Sequence, residues 1–90
     1  MTTSGFERLL NLISSRLLDG YEAYVSSEII NDVLNCTIRL IKNEDVFKIV
    51  YSIKSPNNLK GTIVYQFKKG QKAISTLSLE LWFKILTYIY

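Results

Sequence analysis

The chain has 90 residues, 48% of them hydrophobic, and a formal net charge of +3 at pH 7. That length holds one core, so we expect a single domain over residues 1–90, which buries only roughly 60% of its unfolded surface. There is no histidine and one cysteine, Cys36. A disulfide within these residues and a zinc site of Cys and His ligands are therefore excluded. A single free thiol predicts an intracellular, cytoplasmic setting.

The charge is unevenly distributed along the chain. Residues 1–45 contain seven acidic and four basic residues, a net charge of −3, whereas residues 46–90 contain seven lysines against Glu80, a net charge of +6. Such a split predicts an anionic partner or an electrostatic contact with a second copy. The alternative is that the lysines only keep a small apolar domain in solution. Richness in Ile, Lys, Asn and Tyr also suits a small gene of an AT-rich genome, viral ones included.

The first segment has the pattern of an amphipathic helix over residues 5–19. The run Ser4-Gly5-Phe6-Glu7 has the spacing of a capping box, in which the Ser4 hydroxyl and the Glu7 carboxylate each satisfy a free backbone N–H. Apolar residues then recur on one helical face, and Gly20 stands where a helix ends. These apolar residues are Phe6, Leu9, Leu10, Ile13 and Leu17.

Residues 21–35 fit two interpretations. Tyr21, Ala23 and Val25 alternate as in a strand, whereas the apolar residues after Ser27 have helical spacing. We expect a short strand followed by a short helix, and the alternative is one extended, bulged segment. If the second part is a helix, Glu28 and Asp32 lie one turn apart on a solvated face.

From Cys36 to Lys68 the apolar residues alternate with a period of two, which predicts three consecutive antiparallel strands separated by turns at "NED" and "SPNNLKG". One face of these strands is almost uninterruptedly apolar and is the predicted core face. Its members are Cys36, Ile38, Leu40, Phe47, Ile49, Tyr51, Ile53, Ile63, Tyr65 and Phe67.

The end of the chain predicts a second helix, from about residue 77. "KKGQ" is a turn that leads through "KAIST" either to a fourth strand or directly to this helix, with Ser75, Thr76 or Ser78 as its cap. The helical stripe consists of Leu77, Leu81, Trp82, Ile85, Tyr88 and Ile89. At 14 residues the apolar window is too short to cross a bilayer, which needs about 20, so no membrane is expected as a partner. The alternative is a helix that lies at a membrane interface.

These elements predict an α+β fold. It consists of an N-terminal helix, an antiparallel β-meander of three to four strands and a C-terminal helix, with both helices packed on one sheet face. The order helix, three strands, helix is similar to that of double-stranded-RNA-binding domains and of the Alu-domain subunits of the signal recognition particle, and "KKGQKAIST" looks like the basic strand region of the latter. We transfer no function, because residues 21–35 are additional and "LSLELWFKIL" lacks the lysines that open the last helix of the first family.

Little in the sequence supports catalysis. Without histidine the usual general base and metal ligand is missing, and no glycine-rich phosphate motif is present. Cys36 lies on the predicted core face, and no neighbouring residue in the sequence would lower the pKa of its thiol. We therefore expect a protein that is not an enzyme and that has no cofactor and no metal site.

The strand face opposite the core combines β-branched residues with cations, which is typical of a surface that a partner covers part of the time. The alternative is that valine and isoleucine are simply good strand formers there. We expect a binding protein that acts through protein contacts of this face and forms a homodimer, with Ile41, Val46, Val50 and Val64 at the interface. The runner-up is a protein that binds the backbone of RNA or DNA weakly through Arg39, Lys48, Lys54, Lys68, Lys69 and Lys72.

The turn "FKKGQK" raises the same choice on a smaller scale. As a hairpin tip, Gly70 supplies a positive φ and the three lysines project into water. As an anion site, the same turn directs backbone N–H groups and ammonium groups at a phosphate. The solvated tip is the favoured interpretation.

Overall fold

The computed structural model describes residues 5–54, 60–68 and 70–90, with the backbone alone at positions 60, 67, 68, 71 and 73–75. Five strands form one antiparallel sheet in the order in which they follow along the chain. The elements are α1 (Gly5–Leu18), β1 (Glu22–Ile30), β2 (Val33–Lys42), β3 (Asp45–Ile53), β4 (Lys60–Lys68), β5 (Gln71–Ser78) and α2 (Leu79–Ile89). The predicted α+β fold is confirmed, with five strands where the sequence predicted three to four.

Residues 21–35 contain the largest departure from the prediction, because β1 and β2 form a hairpin and no helix follows Ser27. The two turn residues, Asn31 and Asp32, have φ values of 51° and 65°, a conformation that Asn and Asp tolerate better than most residues. The turn reverses the chain, so that Ile29 faces Leu34 across it. The apolar spacing that predicted a helix therefore comes from two strands with alternating apolar residues, joined by a two-residue turn. Glu28 and Asp32 consequently share no helix face.

The end of α1 follows the prediction. Gly20 has a φ of 95°, and its N–H donates to the carbonyl oxygen of Leu17 at 3.2 Å. The N–H of Tyr21 donates to the carbonyl oxygen of Arg16 at 3.0 Å, which completes the bond pattern of a Schellman motif. The predicted cap Ser4 lies outside the described residues.

Three residue pairs connect the end of α1 to the hairpin between β2 and β3. The Arg16 guanidinium lies over the Phe47 ring, 4.0 Å from its centroid, and the Tyr21 hydroxyl donates to the Asp45 carboxylate. Lys42 Nζ lies 3.4 Å from the Asp19 carboxylate and donates to the Asp19 carbonyl oxygen at 2.6 Å. These contacts orient α1 on the sheet, and the carboxylate acceptor raises the pKa of the Tyr21 phenol.

Both helices pack on one face of the sheet and enclose the core. The predicted core face is confirmed, except that Cys36 is only half-buried and that the side chain of Phe67 lies outside the described residues. The buried apolar residues are Leu9 and Ile13 of α1, Trp82 and Ile85 of α2, and Ile38, Leu40, Phe47, Ile49, Tyr51, Ile53, Ile63, Tyr65 and Leu77 of the sheet.

An aromatic stack joins α2 to the centre of the sheet. The rings of Tyr51 and Trp82 lie with centroids 4.9 Å apart and planes inclined by 13°, and the Tyr51 hydroxyl donates to the Leu77 carbonyl oxygen at 3.2 Å. The Tyr51 ring also lies close to the backbone of Gly61. A β-carbon at Gly61 would lie 2.5 Å from the Ser52 carbonyl oxygen and 2.6 Å from the Tyr51 ring, so this position accepts only glycine without a rearrangement.

The segment before α2 forms a strand, β5, which was the first of the two predictions for these residues; the alternative, that they lead directly to the helix, is wrong. Leu77 therefore belongs to β5, and the helix begins at Leu79 after Ser78, whose hydroxyl accepts from the Leu81 N–H at 3.3 Å. Tyr88 is half exposed and lies off the buried stripe, contrary to the prediction. Within the described ranges, neither helix has the length and apolar character needed to cross a membrane.

Candidate interaction surfaces

The sheet face opposite the helices, here called the open face, is covered by no described element. Its described side chains include Glu22, Tyr24, Ser26, Glu28 and Ile30 of β1, Val33, Asn35, Thr37, Arg39 and Ile41 of β2, Val46, Lys48, Val50 and Ser52 of β3, Thr62, Val64 and Gln66 of β4, and Lys72 and Thr76 of β5. None of them is buried. The alternation along the strands thus sends one set of residues into the core and leaves the other set accessible.

All four predicted interface residues lie on the open face, in two cross-strand pairs. Ile41 faces Val46, and Val50 faces Val64. Val46 is 52% exposed, whereas the other three are half-buried by their neighbours in the sheet. The two pairs are not contiguous, because Arg39 lies between Ile41 and Thr37 on the same face and faces Lys48 across the strands.

Arg39 and Lys48 form a pair of like charges at the centre of the open face. Directly opposed residues of antiparallel strands have β-carbons about 4.5–5.5 Å apart, at which distance like charges are destabilising. Both side chains are exposed, and within the part of the chain that the structure describes neither forms an ion pair. Such an arrangement leaves two cations available to an external anion.

The register extends this pair into a row that crosses the sheet. On one side Tyr24 faces Arg39, whose guanidinium lies 6.0 Å from the centroid of the Tyr24 ring. On the other side, the last pair of β3 and β4 is Ile49 with Tyr65, and the same register places Gln66 opposite Lys48, one residue further along. Gln66 in turn faces Lys72 of β5. We call Arg39, Lys48 and Lys72 the cation row.

The remaining predicted nucleic-acid contacts do not join this row. Lys54 is exposed and directly follows the end of β3, six residues after Lys48 in the chain. The side chain of Lys68 and the whole of Lys69 lie outside the described residues. Gly70 lies in the turn between Lys68 and Gln71, which pair across β4 and β5. Its φ of 79° confirms the positive φ that was predicted for this hairpin turn.

Because the strands are ordered in the sheet as they are in the chain, the charge asymmetry of the sequence becomes a gradient across the sheet. β1, at one edge, carries Glu22 and Glu28 and no lysine or arginine, whereas β5, at the other edge, carries Lys72 and no acidic residue. The two edges therefore offer surfaces of opposite charge.

β1 is a long edge strand with one neighbour. It pairs with β2 and with no other described strand, so one row of its backbone N–H and C=O groups faces outward. Its second half, Ser26 to Ile30, is exposed, including Ile29 at 73% and Ile30 at 48%. Charged lysines, prolines and bulges that commonly protect an edge are missing from this strand, and its two glutamates are its only charges.

Two described features could carry chemistry, the Cys36 thiol and a pocket beside the helices. Burial raises the pKa of the Cys36 thiol, and the neighbouring Trp82 indole offsets part of that increase. A pocket of about 310 Å³ between the two helices and the β4–β5 side of the sheet has a mostly apolar described lining, which includes Phe6, Leu9 and Leu81. Among the described residues, no group of three or more potential metal ligands is clustered.

Comparison with known protein families, with curated proteins and with solved structures found no match for this chain. Sequence reasoning identified the residues of the cation row but not their alignment, and it missed the β1 edge because it predicted a helix there. The signal that would have found the edge is the Asn31-Asp32 pair between two alternating runs.

Proposed function

We propose that this chain is a non-enzymatic binding protein that acts through protein contacts and associates with a second copy of itself. The observation that carries the proposal is the exposed β1 edge, whose outward backbone groups and apolar Ile29 and Ile30 have no partner among the described residues. Strand addition at such an edge provides main-chain hydrogen bonds at once, and side chains on alternate positions provide specificity.

A second copy of β1 is a suitable occupant of this edge. Antiparallel pairing centred on Ser26, the midpoint of Glu22–Ile30, would oppose Glu28 to Tyr24 and Glu22 to Ile30. No glutamate then faces a glutamate, and Ala23 faces Ile29, the most exposed of the large apolar residues of β1. The arrangement is isologous and closes as a dimer with one continuous sheet.

The predicted interface on the open face supports self-association less well. A face-to-face dimer would cover Ile41, Val46, Val50 and Val64, but it would also desolvate Arg39 and Lys48, which lie between them without an acidic partner among the described residues. Removing unpaired charges from water is costly. The edge contact brings the apolar Ile29 and Ile30 to the interface and leaves Arg39 and Lys48 in water.

The test is the oligomeric state, measured by size-exclusion chromatography with light scattering. We expect the wild type to be dimeric and Ile29→Lys/Ile30→Lys to be a folded monomer, because lysines on an edge strand block pairing. The matched control is Phe83→Lys, which introduces a lysine at another exposed apolar residue, next to Trp82 on α2, and should remain dimeric.

Two further variants distinguish the edge from the open face. Val50→Glu and Val64→Glu should leave the dimer intact if the β1 edge forms it. If these changes, and not those at Ile29 and Ile30, produce a monomer, the interface is the open face. A wild type that is monomeric at high concentration contradicts self-association altogether.

A further inference from the structure

We propose that the open face binds single-stranded nucleic acid by its phosphate backbone, with the cation row as the phosphate site and Tyr24 as a stacking platform for a base. This inference does not rest on self-association, since the row lies within one copy of the chain. It is carried by the register, which aligns three cations and one aromatic ring across the sheet.

The electrostatics of the row favour an anionic ligand. Arg39 and Lys48 face each other at the centre of the open face, where like charges repel, and an anion between them would remove that repulsion. The nearest acidic residue in register, Glu22, lies diagonally from Arg39 and accepts a hydrogen bond from the Tyr24 hydroxyl at 2.6 Å. This carboxylate is therefore engaged at the edge of the row, away from Lys48 and Lys72.

The shape of the surface selects a single strand over a duplex. Strands of a sheet lie about 4.8 Å apart, so the row from β1 to β5 is roughly 19 Å long. The major groove of duplex DNA is about 12 Å wide and admits a helix or a two-stranded ribbon, not a face of five strands. A single strand can lie along the row and keep its phosphates near the cations.

Tyr24 gives the row its second type of contact. Its side chain is 45% exposed on the open face, and the hydrogen bond to Glu22 fixes its hydroxyl. Stacking on an aromatic side chain tolerates any base, and phosphate contacts carry no sequence information. The proposed binding is therefore non-specific in sequence, in agreement with a row that contains a single arginine.

The proposal is tested by fluorescence anisotropy with a labelled oligothymidylate of about 12 nucleotides, a length within the range of known single-strand sites. Three phosphate contacts predict a slope of about −2 for log K against log[salt], so affinity should fall about 20-fold between 50 and 200 mM salt. Lys48→Ala should reduce the magnitude of the slope by about 0.7. A slope that Lys48→Ala does not change contradicts the proposed contact.

Charge-matched variants separate the row from net charge. Lys48→Glu should weaken binding about tenfold at low salt, whereas Lys84→Glu, which changes the charge equally at an exposed position on α2, should have little effect. Equal losses in the two variants would mean that net charge alone drives binding, which contradicts the proposal. Tyr24→Ala should weaken binding about fivefold or more and Tyr24→Phe should not, with Tyr88→Ala as the control on α2.

Two competitor ligands test the class of ligand. A duplex of the same length that binds as tightly as the single strand overturns the assignment to single strands. Poly-L-glutamate that competes as well as the oligonucleotide assigns the row to an acidic protein and overturns the nucleic-acid assignment. Binding should persist in Ile29→Lys/Ile30→Lys, so loss of self-association and loss of anion binding are observed separately.

Discussion

The two faces of the sheet are built from the same five strands and differ in almost every other respect. On the helix-covered face Ile49 and Tyr51 have no exposed surface, and Tyr51 stacks on Trp82. On the open face their immediate neighbours Lys48 and Val50 are exposed or half-buried. Alternation along one strand therefore assigns adjacent residues to different physical roles: one set provides the free energy of folding, and the other set is available for binding.

This comparison explains where substitutions are tolerated. The helix-covered face is closely packed, so a change of volume or polarity there alters the stability of the whole domain. The open face contacts only solvent and neighbouring strands in the described structure, so its residues can be selected for a partner.

The largest effect is expected from the adjacent pair Ile49 and Val50. Ile49→Glu would place an unpaired carboxylate in the core and should cost more than about 4 kcal/mol of a total stability of about 5–15 kcal/mol, enough to unfold much of the protein. Val50→Glu should cost less than about 1 kcal/mol, because its side chain points away from the core. Urea denaturation followed by circular dichroism measures both values. Equal losses would show that the open face is internal.

The aromatic stack provides the second comparison. Trp82→Ala should lower the free energy of unfolding by about 3–5 kcal/mol, because it removes the largest fully buried side chain and its contact with Tyr51. Phe83→Ala, one residue along the helix and more than half exposed, should lower it by about 0.5 kcal/mol or less. Thermal denaturation of the two variants is the measurement, and a similar decrease in both would contradict the packing of α2 on β3.

A smaller effect is expected at Gly61, where the backbone approaches Tyr51. Gly61→Ala should destabilise the protein by about 1–3 kcal/mol, because the added methyl group would overlap the Ser52 carbonyl oxygen and the Tyr51 ring. Gly20→Ala is a control of a different kind: nothing lies within 4 Å of its β-carbon, but its φ of 95° disfavours alanine by about 1 kcal/mol. In the double variant Gly61→Ala/Tyr51→Leu part of the loss at Gly61 should be recovered.

The smallest expected effect has the opposite sign. Lys48→Glu should stabilise the protein by about 0.2–1 kcal/mol, because a glutamate opposite Arg39 replaces a like-charge pair with an opposite-charge pair. The gain should shrink at high salt, since both side chains are exposed. A substitution that raises stability while it weakens anion binding would identify the pair as a binding feature. A loss of stability at low salt would show that Arg39 and Lys48 do not repel each other.

Local patterns in the sequence were sufficient for much of the fold. The helix over residues 5–19, its end at Gly20 and the alternation of β2, β3 and β4 follow from a period of 3.6 or 2 and from the conformations that glycine permits. The core face from Ile38 to Tyr65 was assigned correctly for the same reason, because burial of alternate apolar residues is the dominant favourable term.

The tertiary structure was needed to place β1 in the sheet and to set the registers between the strands. The Asn31-Asp32 turn produces an apolar spacing that a helix would also produce, and only pairing of β1 with β2 distinguishes the two. That pairing places β1 at an edge, and the register aligns Arg39, Lys48 and Lys72 although they are far apart in the chain. Composition and periodicity describe each residue's preference for water. A surface, in contrast, is defined by residues that are neighbours in space and distant in sequence. In this sheet those neighbours are set by the registers of four strand pairs.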